Sequence, residues 1–385
     1  MKILHLADLH LGKSVSGLPM IDSQKHVLNE AIKLCKKENI NHIIISGDVY
    51  DRSIPPEDAV ELLNDFLSTA VLDEHIKVYM ISGNHDSKER LACFNGILEK
   101  QGLFIDDCLK DNLQMNKHEI YDDELAINIY SLPYTSPGEI RCSSEDNTIK
   151  DFQSAVSKVL DENQLNENEI NILNTHYFVI GSEPPLRSDS ESRLVVGTLE
   201  QISYRIFDNF DYVALGHLHC PQSIGRETIR YAGSPLKYSV DEIQQHKSFS
   251  VINIKSKGNI TIEEFEINPL HEFVFLEGTV DELTEHSEIK DDRIVFFKLT
   301  DNEPVINAAN RLKIKYPYYV GLKYINNAED SEVDELDLEK AEGFESLTIE
   351  EQFNNFFHYV NERDLNEIQE ETVKKCVREL QGEDD

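Results

Sequence analysis

The sequence predicts an α/β protein with a mostly parallel β-sheet at its core. Between residue 1 and about residue 265, short apolar segments of strand length recur, and amphipathic helical patterns separate the early ones. Polar motifs follow directly where several of these apolar segments end. Strands that alternate with helices form right-handed crossovers, which produce parallel sheets.

The individual elements follow in chain order. Buried strands are predicted at residues 2–7, 42–46, 77–82, 170–174 and 212–215. The helical spacing of apolar residues predicts helices at 23–38, 57–72 and 88–100. Four later apolar segments lack helices between them and predict a second, mixed sheet packed on the first; they are 125–132, 229–232, 249–254 and 260–267.

Changes in composition predict four regions along the chain. Residues 1–268 form the main domain, and residues 269–325 have three strand-like segments and a short helical one, which predicts a small α+β domain. Residues 326–345 are acidic and poor in large apolar side chains, as is typical of linkers. Residues 346–385 contain two amphipathic helical patterns.

An aromatic stripe marks the first of these two C-terminal helices. Phe353, Phe356, Phe357 and Val360 recur at helical spacing after a capping-box pattern at 348–351. The stripe can pack on its own domain or dock on another chain. Because an acidic linker precedes it, we favour docking on a partner.

The apolar pattern and the cysteines limit the expected compartment. The chain has no apolar run of about 18 residues, and it starts directly with a predicted strand. We therefore expect neither a membrane span nor a signal segment. The six cysteines are scattered without a CxxC pair, which favours free thiols in a reducing, cytoplasmic compartment.

The charge is strongly acidic but uneven. The net charge is −35, from 37 basic and 72 acidic residues, and by itself this disfavours binding to nucleic acid. The last 60 residues alone carry 20 acidic and 5 basic residues. The net charge therefore says little about the field at a catalytic face.

Five polar motifs stand at the ends of predicted strands. They are Asp8-Leu9-His10, Gly47-Asp48, Gly83-Asn84-His85-Asp86, Thr175-His176 and Gly216-His217-Leu218-His219. In open α/β sheets, ligand sites form beyond the carboxyl ends of the strands. Carboxylate, imidazole and amide groups that converge there predict a centre for two metal ions.

The residue types suit this chemistry. Two divalent cations about 3.5–4 Å apart can clamp the attacking and leaving oxygens of a phosphoryl transfer. Asp48 is the expected bridge between them because it ends a central strand. Asp8 and His10 can reach one ion, and the pair His217 and His219 can serve both.

The Gly-Asn-His-Asp motif adds two different functions. Asn84 would supply a neutral oxygen ligand that adds no charge repulsion. His85 is expected to donate a hydrogen bond or a proton near the phosphate. Imidazole and oxygen ligands together suit manganese, iron or zinc.

Each motif alone carries little weight. An Asp-x-His pair is common in turns, Gly-Asn-His-Asp is first of all a turn sequence, and a single histidine is usually structural. Of the 14 histidines, we assign a function to only five, namely His10, His85, His176, His217 and His219. The joint occurrence of the motifs, each at a strand end, favours the metal site.

These motifs, in this order, resemble the signature of calcineurin-like metallophosphoesterases. Further segments are similar to SbcD-type nuclease subunits, a group related to the nuclease subunits of double-strand-break repair complexes; they are 211–219, 190–198 and 231–236. The resemblance is strong over residues 1–240, moderate in the small domain and mainly architectural in the tail.

The resemblance implies two stacked mixed β-sheets flanked by helices, with a capping domain over a DNA-binding face. It implies manganese as the favoured metal and phosphodiester hydrolysis by a metal-activated water. One ion would be held by Asp8, His10, Asp48 and His219, and the other by Asp48, Asn84, His176 and His217. His85 would be the catalytic histidine, held in place by Asp86.

The resemblance also implies partners. The chain would cleave DNA ends as an exonuclease, and it would cleave hairpins or single-stranded DNA as an endonuclease. An SbcC-like ATPase would bind the C-terminal helices, and the chain would form a homodimer within a heterotetramer. For a DNA nuclease, the candidate contacts to the DNA backbone are basic residues of the small domain, which can also be an ordinary solvated surface; they are Lys298, Arg311, Lys313, Lys315 and Lys323.

Two other functions stay open on the sequence. A stand-alone phosphomonoesterase or cyclic-nucleotide phosphodiesterase would use the same metal core, although it needs neither a cap nor a docking tail. A structural subunit that bridges an ATPase would not need seven ligands and a catalytic histidine. We therefore favour a DNA nuclease that works inside a complex.

Overall fold

The computed structural model describes residues 1–122, 125–191, 200–285 and 291–325, together with residues 369 and 373. The predicted acidic linker at 326–345 and the stripe of Phe353, Phe356, Phe357 and Val360 lie outside these described residues. The main domain and the capping domain can therefore be compared with their predictions.

The strands follow the chain in this order: β1 (Lys2–Leu6), β2 (Ser14–Val15), β3 (Leu18–Pro19), β4 (His42–Ser46), β5 (Lys77–Ile81), β6 (Leu103–Asp106), β7 (Asn116–Asp122), β8 (Leu125–Leu132), β9 (Ile170–His176), β10 (Val179–Ile180), β11 (Ile202–Ser203), β12 (Tyr212–Gly216), β13 (Gln222–Ile224), β14 (Arg226–Tyr231), β15 (Ser248–Ser256), β16 (Asn259–Glu266), β17 (Phe273–Gly278), β18 (Ile294–Leu299) and β19 (Tyr319–Tyr324).

The α-helices are α1 (Ile21–Glu38), α2 (Glu57–Ser68), α3 (Lys88–Leu91), α4 (Asn95–Leu98), α5 (Pro137–Ser144), α6 (Phe152–Asp161), α7 (Val280–Glu285) and α8 (Ala308–Lys315). Among the described residues, no helix combines the length and the apolar character needed to cross a bilayer.

Two six-stranded sheets form the body of the protein. The first has the order β16-β15-β1-β4-β5-β6, and the second has the order β13-β14-β12-β9-β8-β7. In each sheet four neighbouring strands run parallel. In the first sheet β15 and β16 add antiparallel at one edge, and in the second sheet β13 and β7 add antiparallel at opposite edges. The predicted class of two mixed α/β sheets is confirmed.

Alternating side chains explain how these sheets pack. Successive residues of a strand point to opposite faces. Ile44 of β4 and Tyr79 of β5 lie in one buried cluster with Ile172 of β9 and Tyr212 of β12 from the second sheet. The outward-facing residues of the first sheet pack on α1 and α2, and those of the second sheet pack on α5 and α6. The strongly apolar strands are therefore covered on both faces.

A polar network also joins the sheets inside this apolar layer. His5 Nδ1 lies 3.0 Å from the hydroxyl of Tyr212, and its Nε2 lies 3.0 Å from Ser46 Oγ. Ser46 Oγ in turn donates to Asn174 Oδ1 at 2.7 Å. These side chains are buried, and each finds a partner, as buried polar groups generally require.

Two predicted strands belong to a different sheet from the one expected. Segments 249–254 and 260–267 were expected in the second sheet, but they form β15 and β16 of the first. β15 pairs antiparallel with β1, with Ile3 opposite Ile252. An apolar pattern specifies that a strand is buried but not which neighbour it pairs with, so the expected assignment was wrong here.

The predicted helix at 88–100 is also interrupted. It consists of α3, α4 and a 3-10 turn at Glu99–Gln101. Phe94 has φ +66°, which is left-handed and breaks the α-helix between its two parts. The apolar spacing here did not reveal this break, because the spacing of side chains does not specify the backbone angle of a single residue.

By internal contacts the chain divides into two units. The first contains Met1–Lys298 and Asn307–Leu322, and the second contains Leu299–Ile306 and the chain from Lys323 onward. The capping region shows the predicted elements, with a three-stranded sheet of order β17-β18-β19 and the helix α8. The domain boundaries at 268, 325 and 345 remain predictions.

Candidate metal centre

The five polar motifs converge at the carboxyl ends of strands from both sheets. β1, β4 and β5 carry the first three motifs, and β9 and β12 of the second sheet carry the other two. A hydrogen bond from the backbone N–H of His217 to Asp8 Oδ1, at 2.8 Å, connects the two sheets at this edge. The sequence therefore places the site residues at one place in the fold.

The backbone of four predicted ligands is in the left-handed region. The φ angles are +52° for Asp8, +44° for His10, +48° for Asp48 and +106° for His217. Residues other than glycine adopt such angles at a cost, and they cluster at functional sites, where the surrounding structure holds them in place. Each angle here aims a side chain from a strand end into the common site.

One group of ligands combines Asp8, His10 and His219. One ligand atom of each lies within 4.8 Å of the others, and all three residues are buried. His10 Nε2 and His219 Nε2 are 3.1 Å apart. Two imidazole nitrogens that face each other this closely are arranged as a pair of ligands for one cation.

A second group combines Asp8, Asp48 and His176, again within 4.8 Å. Asp48 Oδ2 lies 3.3 Å from His176 Nε2 and 3.7 Å from His10 Nε2. The Asp48 carboxylate therefore faces one histidine from each group. This position suits the bridging function expected from the sequence, although Asp8 is the residue that both groups share.

Asn84 connects the second group to His217. Its Oδ1 lies 2.9 Å from His176 Nε2 and 3.2 Å from His217 Nδ1. His176 is fixed from the other side, because its Nδ1–H donates to the carbonyl oxygen of Ser46 at 2.8 Å. The structure thus brings all seven predicted ligands into one site.

The donor set fits divalent cations. Asp8 Oδ2 and His10 Nδ1 are buried without a hydrogen-bond partner. Burying an unpaired polar group is costly, and a bound cation would satisfy Asp8 Oδ2, whereas His10 Nδ1 points away from the candidate cation, toward Asp51 Oδ1 at 3.5 Å. Carboxylate, amide and imidazole donors together are the ligands that manganese, iron and zinc accept.

Burial and neighbouring charges shift the pKa values of several ligand candidates. Burial raises the pKa of Asp8 well above its usual value. Burial lowers the pKa of His10 to about 4 and that of His217 to about 3, so both imidazoles are neutral near pH 7. Burial alone would lower the pKa of His176, but the Asp48 carboxylate raises it to about 9. A cation would replace the proton on His176, since metal ligands must be deprotonated.

His85 lies outside the two ligand groups built on Asp8, but it forms a third group with His10 and Asp51, again with ligand atoms within 4.8 Å of one another. Its Nδ1–H donates to the carbonyl oxygen of Asp51 at 2.8 Å, which directs Nε2 toward Asp48, at 3.9 Å from Asp48 Oδ2. The backbone N–H of His85 donates to Asp48 Oδ1 at 2.9 Å. The imidazole is partly exposed, in contrast to the buried histidine ligands.

Asp86 acts on the backbone of the loops. Its carboxylate accepts N–H hydrogen bonds from Val49, Tyr50 and Gly83, at 3.1, 2.9 and 2.9 Å. Burial and the nearby Asp48 raise the pKa of Asp86 to about 6. The sequence predicted that Asp86 holds His85 in place; these three bonds fix the loop that carries His85.

Close packing behind the ligands requires glycine at two positions. A Cβ atom at Gly216 would lie 2.7 Å from His176 Nδ1 and closer still to the carbonyl oxygen of Ser46. A Cβ atom at Gly83 would collide with the carboxylate and backbone of Asp48. These glycines let the strand ends approach closely enough for the ligands to meet.

Sequence reasoning did not identify several supporting residues. Asp51 Oδ1 lies 3.5 Å from His10 Nδ1, and Glu242 Oε1 lies 3.1 Å from His219 Nδ1. Asp51 stands three residues after Asp48, so its proximity in sequence was a usable signal. Glu242 lies in a 3-10 turn at Val240–Gln244, far along the chain, and no motif marked it.

Comparison with known proteins identifies the family. The model of the family described as calcineurin-like phosphoesterase matches residues 1–221. The SbcD subunit of the nuclease SbcCD from Staphylococcus epidermidis is 31% identical, covering 98% of this chain and 98% of its own. The same subunit from Staphylococcus saprophyticus is 32% identical, covering 99% of this chain and 98% of its own.

A crystal structure of the Thermus thermophilus protein TT1561 covers 69% of this chain and 99% of its own, at 10% identity and a TM-score of 0.40, which is too low to carry a conclusion. The family match spans the five motifs, and the relatives match nearly the whole chain. The chain belongs to the calcineurin-like phosphoesterase family and, within it, is similar over its length to the SbcD subunits of SbcCD nucleases.

Proposed function

We propose that this chain is the metal-dependent nuclease subunit of a complex with an SbcC-like ATPase and that it hydrolyses phosphodiester bonds of DNA. The observation that carries the proposal is the pair of ligand groups that meet at Asp8 and face Asp48. The near-complete coverage of two relatives whose names state a nuclease activity supports a nucleic acid as the substrate, and we propose that it is DNA.

Seven residues would hold two divalent cations, which we propose to be manganese. Asp8, His10, Asp48 and His219 would hold one, and Asp48, Asn84, His176 and His217 the other. When bound, two such cations supply a water of lowered pKa and neutralise charge on the phosphate. The protein supplies fixed ligands, since six of these side chains are buried, and those of Asp8, Asp48 and His176 also make hydrogen bonds with the backbone.

His85 is the proposed proton donor to the leaving oxygen. Because Nδ1–H is engaged by the Asp51 carbonyl, Nε2 is the nitrogen directed toward the site. A protonated Nε2 can donate to an oxygen that develops negative charge as the phosphodiester bond breaks. Asp86 would keep the loop in position through its three backbone hydrogen bonds.

The partners remain part of the proposal. The stripe of Phe353, Phe356, Phe357 and Val360 would bind the ATPase, and the chain would form a homodimer within a heterotetramer. Of the five basic residues that are candidate contacts to DNA, four already make internal contacts; they are Lys298, Arg311, Lys313 and Lys315. For example, Lys298 Nζ lies 3.7 Å from the ring centre of Phe275, and Arg311 donates to Asp281 at 2.6 Å. A contact to a DNA phosphate would have to compete with these contacts.

The test is a pair of cleavage assays on the purified chain. One assay offers a labelled DNA hairpin and a linear duplex with manganese, with and without the ATPase. The other offers a small chromogenic phosphate monoester under the same conditions. We expect manganese-dependent cleavage of DNA, with the ATPase increasing access to duplex.

The alternative enzyme predicts a different pattern. If the chromogenic ester is hydrolysed much faster than any DNA, the chain is a phosphomonoesterase and the proposed substrate is wrong. If neither substrate is hydrolysed although manganese binds, the chain is a structural subunit.

A further inference from the structure

Glu242 is buried directly behind the metal-ligand candidate His219. Its side chain has no exposed surface, and its Oε1 lies 3.1 Å from His219 Nδ1. Ser190 Oγ lies 2.6 Å from the same nitrogen and donates a hydrogen bond to Glu242 Oε1. Because Nε2 of His219 faces His10 and the candidate cation, the outer nitrogen is the one held by the carboxylate together with the Ser190 hydroxyl.

Lys247 compensates the charge of Glu242. Its ammonium donates to Glu242 Oε2 at 2.7 Å, to Ser234 Oγ at 2.9 Å and to the carbonyl oxygen of His219 at 2.8 Å. The side chain of Lys247 is only 5% exposed. The lysine therefore contacts both the carboxylate and the backbone of the ligand that this carboxylate supports.

Stability alone is a weak reason for such a pair. Bringing two charges out of water costs about as much as their attraction returns, and buried ion pairs are often replaceable by apolar residues without loss of stability. A carboxylate on the outer N–H of a metal-bound histidine, by contrast, fixes the ring and raises its basicity. The position of Glu242 meets the geometric requirement for that function.

A looser arrangement of this kind occurs at His10, whose outer nitrogen makes no hydrogen bond to the nearby carboxylate, and His176 is held differently. Asp51 Oδ1 lies 3.5 Å from His10 Nδ1 and accepts from Lys13 at 2.8 Å. His176 instead donates from its outer nitrogen to a backbone carbonyl. Both histidines of the group with Asp8 thus lie beside a carboxylate that pairs with a lysine, whereas the nearest carboxylate oxygen to His176 Nδ1 is Asp8 Oδ1, at 3.9 Å.

We propose that Glu242, held by Lys247, is a positioning residue for His219 and thereby sets the affinity of the cation position formed by Asp8, His10 and His219. This inference rests on the proposed two-metal centre. In this inference a carboxylate paired with a lysine holds His219 at the first cation position, whereas a backbone carbonyl holds His176 at the second.

The experiment measures manganese binding instead of activity. Glu242→Gln removes the carboxylate charge at nearly constant shape, and Glu242→Gln combined with Lys247→Met also removes the charge that would be left unpaired. Glu272→Gln is the matched control, because Glu272 also pairs with a lysine, Lys237 at 2.6 Å, but is 45% exposed. Calorimetric titration gives affinities, and anomalous diffraction from crystals soaked at limiting manganese locates the ions.

We expect both Glu242 variants to bind the ion beside His219 about 10- to 100-fold more weakly. The anomalous peak there should fade while the peak beside His176 stays, and Glu272→Gln should match the wild type. If Glu242→Gln fails to fold, manganese binding by the double variant tests the inference.

Two results would overturn the inference: folded variants with wild-type binding at both positions, or an equal loss at both. A wild-type chain that binds no manganese at either position would instead refute the proposed function itself.

Discussion

The carboxylate of Asp48 lies 3.3 Å from Nε2 of His176, a contact between the end of a strand in the first sheet and the end of a strand in the second. Because the same carboxylate also faces His10, we expect Asp48→Asn to weaken both cation positions. Bound manganese should fall from about two ions per chain to below about one, measured by elemental analysis after dialysis.

A matched control for this change is Asp106→Asn. Asp106 is also buried and paired with a histidine, His118 at 2.7 Å, but it belongs to neither ligand group. That variant should keep both ions. Retention of two ions by Asp48→Asn would contradict the bridging assignment.

His85→Gln should separate catalysis from metal binding. The side chain lies outside the seven ligand positions, so manganese should stay bound at wild-type stoichiometry. Loss of a positioned proton donor should slow cleavage about 10²- to 10⁴-fold, measured in single-turnover assays on the DNA hairpin. His118→Gln serves as a control with normal cleavage, and loss of metal from His85→Gln would show that His85 is a ligand.

Gly216→Ala should destabilise the protein through a steric clash. The added methyl group would meet His176 and the carbonyl oxygen of Ser46, so the strands must move apart. We expect a loss of about 1–3 kcal/mol in the free energy of unfolding, measured by urea denaturation. Gly96→Ala, where no atom lies within 4 Å of the new methyl group, should change it by less than about 1 kcal/mol. Equal effects of the two changes would argue against the close packing described here.

The pH dependence of stability should reflect the buried His5. Burial, together with the charge of Arg230, lowers its pKa from 6.5 to about 3. The folded protein therefore keeps His5 neutral, while the unfolded chain takes up a proton below about pH 6.5. Its contribution to stability is full above pH 6.5 and is lost as the pH falls toward 3, at up to about 1.4 kcal/mol per pH unit.

The change of the free energy of unfolding with pH, compared between variants, tests this assignment. Metal-free wild type and His5→Gln are unfolded in urea at several pH values between 7 and 5, with the exposed His75→Gln as control. The His5 variant should lose less stability on acidification than the wild type, and the control should follow the wild type. Parallel curves for wild type and His5→Gln would mean that His5 takes up its proton equally well in the folded state.

The aromatic stripe should be needed for the partner and not for the metal. The double change Phe353→Ser with Phe357→Ser removes two apolar anchors from the proposed docking helix. We expect loss of co-purification with an SbcC-like ATPase at unchanged manganese stoichiometry. Tyr121→Ser, at a residue 73% exposed on β7, is the control. Normal co-purification of the double variant would refute docking through this stripe.

Much of the site could be predicted from the sequence because its ligands directly follow strong apolar strands. β4 begins and ends at the predicted residues, and β1, β5, β9 and β12 end within two residues of their predictions. Asp8, Asp48 and His217 therefore reach the same edge of the fold without any knowledge of strand pairing. The carboxyl ends of the parallel strands determine that edge within each sheet, and the packing of the two sheets brings the two edges together.

Other features depend on tertiary contacts that leave no local pattern. The pairing of β15 with β1 joins residues that are about 250 positions apart. Glu242 reaches His219 because the chain turns back after β14. The break in the predicted helix depends on the left-handed backbone angle of a single residue, Phe94. Local periodicity carries no signal for any of these.

The division of the ligands between two sheets also bears on how the enzyme matures during synthesis. A nascent chain that has emerged only as far as β6 carries Asp8, Asp48 and Asn84, but it lacks His176, His217 and His219. β1 additionally waits for β15, which is made after all the ligands. The proposed nuclease would thus be inactive while it is still being synthesised. Its nuclease activity would appear only after the two sheets have packed together.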